Sequence, residues 1–169
     1  SRTRRARCRS PWLGPSGRIG QFFAQFMPKP RAPGGPAPGT APAAGLRILL
    51  VEDLDMHRCL GQVILEHAGH RVHAVPDGGA AVAAAASGGY DLVFMDVMMP
   101  GMDGIAATRA IRALPGPAGR VPIIALTAQT APEIEAACRT AGMDGFESKP
   151  LAAGRVAAVV QAALAAKPG

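Results

Sequence analysis

The 169-residue chain contains only three cysteines and no C-x-x-C pair, which is too little for a disulfide framework or a zinc site. A reduced, cytoplasmic setting is the simpler expectation. No apolar run approaches the roughly 18 residues that a membrane-crossing helix needs; the longest, around Ala80–Ala86, is short and alanine-dominated. No apolar segment follows the N-terminal arginines, so a secretory signal is not expected, and no internal repeat is visible. Acid is missing from the first 45 residues altogether, although the chain as a whole holds 12 Asp+Glu. What is present in quantity is apolar side chain, 49% of residues. That is enough to bury a core and excludes wholesale disorder. The length suits one domain with a tail.

The net charge of +6 is unevenly spread. Residues 1–45 hold Arg2, Arg4, Arg5, Arg7, Arg9, Arg18, Lys29 and Arg31 against no acid, and the remaining residues are left with a slight acidic excess. Half of the 16 prolines lie in the same stretch, most of them between Pro28 and Pro42 among Ala and Gly. Such a run cannot form ladders or bury a core and reads as a semi-extended linker. The boundary is expected near Gly45, with 1–45 a basic flexible tail and 46–166 the folded domain. Its charge suits weak binding to acidic surfaces by counterion release, and Trp12, Phe22, Phe23 and Phe26 make an amphipathic anchor conceivable. A solvated tail, or the trailing end of a larger protein, is the favoured reading. The initial Ser suggests a fragment or a processed product, and Met27 is an alternative start.

From residue 46 strand and helix patterns alternate. Leu46–Val51 is a continuous apolar run, as expected of a strand buried on both faces. Met56, Leu60, Val63 and Ile64 recur at helical spacing, and Gly69 stops the helix. Val72–Val75 reads as a second strand. Asp77 is the expected N-cap of an alanine-rich helix that Gly88-Gly89 ends. Asp91–Met95, Val121–Leu126 and Gly145–Ser148 read as further strands. Ile105–Leu114 (stopped by Pro115), Glu133–Ala141 and Val156–Leu164 read as helices. Five alternations imply right-handed crossovers and a parallel sheet covered on both sides. Ligands of such sheets sit at the carboxyl ends of the strands.

Those ends carry Glu52-Asp53, Asp96, Thr127 and Lys149. Crowded carboxylates raise one another's pKa unless a cation compensates, and hard oxygen ligands suit Mg²⁺, or Mn²⁺ in its place. A lysine and a hydroxyl facing such a site form a cradle for a phosphoryl group. Asp96, on the strand opposite the acidic pair, is the best-placed nucleophile and would form an acyl phosphate. Taken singly, each residue has a plainer reading as a helix cap or a surface charge; their coincidence at successive strand ends favours function.

The stretches ILLVEDLD at 48–55, YDLVFMDVMMPGMDG at 90–104, VPIIALTA at 121–128 and GFESKPL at 145–151 closely resemble the receiver domain of two-component response regulators. Asp53, Asp96, Thr127 and Lys149 follow one another at spacings of 43, 31 and 22 residues, and the likeness covers about residues 46–165. Four ordered motifs make it specific. The resemblance implies a flavodoxin-like doubly wound (βα)₅ fold with strand order 2-1-3-4-5. It implies that Asp96 accepts a phosphoryl group from the phosphohistidine of a histidine kinase or a histidine phosphotransfer protein. Asp53, Asp96 and the Met98 carbonyl would bind Mg²⁺, with Glu52 assisting directly or through water. Lys149 and the N–H groups of Met98 and Ala128 would hold the phosphoryl oxygens, and Thr127 would reach them with its hydroxyl. Phe146 matches an aromatic that turns inward on activation, and Lys149–Pro150 matches a cis bond. The fourth helix, fifth strand and fifth helix would then present the signalling face to a downstream partner.

Within the family, 109–128 and 141–151 resemble the receivers of hybrid sensor kinases. A bacterial hybrid histidine kinase, membrane-anchored or not, is the expected parent, and a stand-alone regulator with a basic extension is the alternative. Leu54-Asp55-Met56-His57 departs from the Asn-Pro commonly seen in hybrid receivers. The short stretch after the last helix leaves no expected DNA-binding output domain. An Asp-nucleophile phosphohydrolase would need a second Asp where Met98 stands, and a dinucleotide-binding unit would need G-x-G-x-x-G where Glu52-Asp53 stands. The receiver itself is expected to be a phosphotransfer module, not a turnover enzyme. His57, His67, His70 and His73 read as surface histidines, Met99 and Met102 as loop packing, and Cys59 and Cys138 as small core residues. Met98, apolar beside Asp96, is expected to slow acyl-phosphate hydrolysis.

Overall fold

The structure is a computed structural model that describes residues 45–129 and 131–166; the tail, with its arginines, aromatics and prolines, lies outside them. Five parallel strands, β1 (Arg47–Val51), β2 (Arg71–Val75), β3 (Leu92–Asp96), β4 (Ile123–Thr127) and β5 (Gly145–Ser148), stand in the order β2-β1-β3-β4-β5. Between and after them run α1 (Asp55–His67), α2 (Gly78–Ser87), α3 (Gly104–Arg112), α4 (Pro132–Ala141) and α5 (Ala153–Ala165), with a short 3₁₀ turn over Gly116–Arg120. The expected doubly wound order is therefore found. None of the described helices is long and apolar enough to cross a membrane.

Burial explains the pattern. β3 and β4 are buried at every position and β1 at four of five, because helices cover both faces of the sheet centre. The edge strands β2 and β5 are only partly covered, which is why their apolar signal is weaker. Asp77 and Asp103 cap α2 and α3 by accepting from the N–H groups of Ala80 at 2.8 Å and Ala106 at 2.7 Å. Gly142 ends α4 with φ +99°, a left-handed turn that a side chain would strain.

Two expectations need correction. The face of α1 that packs on the sheet is Gly61, Ile64 and Leu65, whereas Met56 and Val63 of the expected stripe are exposed. Gly61 is what turns the helix this way, since a Cβ there would lie 2.9 Å from Leu50 Cδ2; α1 rests on its smallest residue. Likewise Cys138 is fully buried, while Cys59 is only half-buried. The 3₁₀ turn was not read in the sequence, and α3 stops at Arg112, before Pro115 acts.

Arg112 ties the amino ends of the strands together. Its guanidinium donates to the carbonyls of Gly142 at 2.9 Å, Gly119 at 3.1 Å and Val121 at 2.8 Å, and to Asp144 Oδ2 at 2.9 Å. The same Asp144 oxygen accepts from Ile123 N–H at 2.8 Å. Truncation would leave three carbonyls without this donor, so Arg112→Ala is expected to lower unfolding stability by about 2–3 kcal/mol in urea titrations, with Arg112→Lys recovering only part of it.

Candidate functional site

The register of the central strands brings the acidic residues to one rim. β1 pairs β2 on one side and β3 on the other, so Glu52 and Asp53, immediately after β1, lie beside Asp96, the last residue of β3. β4 and β5 add Thr127 and, past Ser148, Lys149. Lys149 N–H donates to the Thr127 carbonyl at 3.0 Å, and the bond to Pro150 is cis.

Asp96 is 1% exposed and Glu52 is 2% exposed. Lys149 Nζ sits between them, 2.7 Å from Asp96 Oδ2 and 2.8 Å from Glu52 Oε2. Asp96 Oδ1 accepts from Met98 N–H at 3.0 Å. Its buried Oδ2 meets the Lys149 ammonium. Carboxylate oxygens of Glu52, Asp53 and Asp96 all lie within 4.8 Å of one another. Three hard oxygen donors so close together fit a divalent cation such as Mg²⁺.

Burial pushes the Asp96 carboxyl up, to about 6; the Lys149 ammonium pulls it down and the Glu52 charge pushes it up again. Burial alone would lower the Lys149 ammonium, but the two carboxylates hold it above its ordinary value.

Of the residues singled out in the sequence, Glu52, Asp53, Asp96 and Lys149 share this pocket. Thr127 is buried at its edge, but its hydroxyl donates to the Gln129 carbonyl at 2.8 Å and accepts from Gln129 N–H at 3.1 Å. Met98 and Ala128 are exposed on the loops above. Phe146 is half-buried on β5, with the Arg139 guanidinium 5.1 Å from its ring centre. His57 stands closer to the site than expected, its Nδ1 3.9 Å from Glu52 Oε1. His73 is exposed and bonds to Tyr90.

Gly104 escaped the sequence reading. A Cβ there would lie 2.1 Å from the Asp96 carbonyl oxygen, backbone that cannot move aside, and Gly104 N–H donates to the Val97 carbonyl at 3.1 Å. The first turn of α3 is thus pressed against the peptide that carries Asp96. A Gly eight residues after a strand-end acid is the one available signal, and it is a weak one.

Comparison with known proteins places this site in context. The family described as the response regulator receiver domain matches residues 48–161. The sensor protein GacS of Pseudomonas syringae is 42% identical over 116 residues, which is 68% of this chain and 13% of that protein. The sensor histidine kinase AruS of Pseudomonas aeruginosa is 35% identical over 143 residues, 82% of this chain and 14% of that protein. The chain thus spans about one seventh of these relatives. Among solved structures, the receiver domain of a Pseudomonas aeruginosa sensor histidine kinase, with a magnesium ion coordinated in its active-site cleft, superposes with TM-score 0.66 at 38% identity, covering 72% of this chain and 99% of that one. The chemotaxis protein CheY4 of Vibrio cholerae superposes with TM-score 0.65 at 29% identity, covering 70% and 98%.

The raised Asp96 pKa fixes a sign. The unfolded carboxyl titrates near 3.8 and the folded one near 6, so whatever stability this group contributes is present below the lower value and lost as pH rises through the higher one. At pH 7 without divalent metal, Asp96→Asn is expected to be more stable than the parent by roughly 2 kcal/mol. In thermal unfolding that gap should close as pH falls from 7 to 4, and Mg²⁺ should narrow it at pH 7 by stabilising the parent alone.

Proposed function

The chain belongs to the response regulator receiver domain family, and from that premise we propose that it takes a phosphoryl group from a phosphohistidine onto Asp96 and thereby changes which partner it binds. The observation that carries this reading is the Lys149 ammonium held 2.7 Å from a buried carboxylate inside a trio able to grip a metal. Asp53, Asp96 and the Met98 carbonyl would hold Mg²⁺, with Glu52 assisting directly or through water; its charge would offset that of the incoming phosphoryl group.

The residues then have separable tasks. Asp96 Oδ2 attacks phosphorus, a P–O bond forms as the P–N bond to the donor imidazole breaks, and the imidazole leaves with its electron pair and takes up a proton. Lys149 exchanges its contact with the carboxylate for one with a phosphoryl oxygen, and the Met98 and Ala128 N–H groups supply further donors. Thr127 gives up Gln129 to meet the phosphoryl group, and Phe146 moves into the space that the β4–α4 loop leaves. α4, β5 and α5 form the face through which a downstream partner reads the change.

The likeness to GacS and AruS supports placing this receiver in a hybrid sensor histidine kinase, passing phosphate to or from a histidine phosphotransfer partner; a single-domain regulator with a basic extension is the second reading. A phosphohydrolase is disfavoured, because Met98 occupies the position where a general acid–base carboxylate would stand.

Incubation with phosphoramidate and Mg²⁺ followed by intact-mass measurement tests the chemistry. One added phosphate is expected on the parent and none on Asp96→Asn, and Lys149→Met is expected to be labelled at least tenfold more slowly. Labelling that persists in Asp96→Asn would remove the proposal's central residue. Once phosphorylated, Met98→Asn is expected to lose phosphate faster than the parent, because a polar side chain there can orient the attacking water; slower loss would reverse the role assigned to Met98.

A further inference from the structure

The amino ends of β1 and β2 carry a group of basic side chains to which phosphotransfer at Asp96 gives no task. Arg47 and Arg71 open the two strands and stand directly opposite each other in the parallel register. Both are exposed. Register partners project from the same face of a sheet, so two like charges sit side by side where they repel. His73, two residues along β2 and also exposed, projects from that face as well. Tyr90, just before β3, ties the group together. The Arg47 guanidinium lies 5.3 Å from its ring centre, the His73 ring stacks on it with centres 6.0 Å apart, and His73 Nδ1 hydrogen-bonds with the phenol oxygen. Arg71 is thus bracketed, by Arg47 across the strands and by His73 along its own.

Arg58, Arg112, Arg139 and Arg155 all pair with carboxylates, whereas neither Arg47 nor Arg71 forms such an ion pair among the described residues. The Asp91 carboxylate, on the β3 side of β1, accepts from the Arg47 main-chain N–H at 2.8 Å. The Arg47 side chain is nonetheless seated. A Cβ on Gly89, whose φ is +82°, would lie 2.2 Å from Arg47 Nη1, so the guanidinium fills a space that only a glycine leaves. Charged residues on an edge strand also discourage stray sheet pairing. That accounts for Arg71 and His73, but not for an arginine on the interior strand β1 held over a tyrosine by a glycine opening.

We propose that Arg47 and Arg71, with His73 and Tyr90 beside them, form a binding site for a phosphate monoester dianion. Paired strands lie about 4.8 Å apart, which lets two guanidinium forks share the oxygens of one tetrahedral anion. Its two negative charges match the two arginines and turn the repulsion between β1 and β2 into a shared attraction. The Tyr90 ring is already taken up by Arg47 and His73, so the site recognises the phosphate and not a stacked base. It lies at the amino ends of the strands, at the opposite end of the sheet from Asp96, and is independent of the acyl-phosphate chemistry there.

Titration of the full chain with inorganic phosphate, without divalent cation and at an ionic strength held constant with NaCl, tests the site through the arginine Nε–H signals in proton–nitrogen NMR spectra. The Arg47 and Arg71 signals are expected to shift and saturate together. Arg71→Gln, an exposed change checked by circular dichroism, should weaken binding read at Arg47 at least tenfold. Arg71→Lys keeps the charge without the fork and should recover only part of it, while Arg120→Gln, at an exposed arginine outside the group, should leave it unaltered. Shifts of equal size at Arg109 and Arg120, a response that does not saturate, or full affinity in Arg71→Gln overturns the site and leaves only diffuse attraction to a basic protein. Glycerol phosphate and vesicles containing phosphatidic acid separate two sources of the same monoester. A response to both supports a soluble ligand, and a response to the vesicles alone that is lost in Arg71→Gln supports a lipid headgroup. A response to neither overturns the monoester.

Discussion

The Lys149 ammonium between two buried carboxylates is the contact on which the rest of the site depends. Without it, Asp96 and Glu52 would face each other across a water-poor pocket with no positive charge between them, a cost of several kcal/mol that a small domain cannot carry. With it, the pocket still holds three carboxylates against one ammonium. If all three ionise, the remaining charge is that of one dication with the sign reversed. Burial first, and the Glu52 charge after it, pull Asp96 toward its protonated form against Lys149. A proton, a divalent cation and a phosphoryl group with its cation are thus alternative answers to one electrostatic deficit.

The fold exists to bring those groups to one edge. A parallel sheet sends every strand's carboxyl end the same way, so side chains 43 residues apart in the chain, Asp53 and Asp96, become neighbours without any local motif linking them. The opposite edge carries the Arg112 network, which joins α3, the 3₁₀ turn and the α4–β5 turn through carbonyls. Function and cohesion are therefore separated along the strand axis. The one place where they touch is Gly104, whose missing side chain lets the start of α3 close on the peptide of Asp96.

What could be read in the sequence follows from the same physics. β1 and β3 announce themselves because double-sided burial demands unbroken apolar runs, and the strand-end acids stand out against those runs. The inner face of α1 could not be read, since spacing alone does not say which of two apolar lines meets the sheet; Gly61 decides it by proximity to Leu50. Gly104 and Arg112 act through backbone atoms contributed by distant segments, and a sequence does not display carbonyls. The rim position of Thr127 was legible, but not its hydroxyl's local partner, because a Ser/Thr turn depends on the loop's path.

That local partner sets the terms of any switch. In this structure the Thr127 hydroxyl both gives and receives a hydrogen bond with Gln129, and Lys149 is satisfied by two carboxylates. Neutral bonds of the Thr127 kind are worth about 1 kcal/mol each, and a bond to a charged phosphoryl oxygen roughly twice that. A phosphoryl group on Asp96 would therefore outbid Gln129 by a margin of only one to a few kcal/mol. A margin of that size shifts a population between two arrangements instead of enforcing one. It also lets contacts distant from the pocket bear on the balance. The Arg139 guanidinium over the Phe146 ring is one such contact, joining α4 to β5 with an energy of the same order. On the proposed reading, a chain with these parts would respond to phosphate in degree, and a partner gripping either face would complete the change or hold it back.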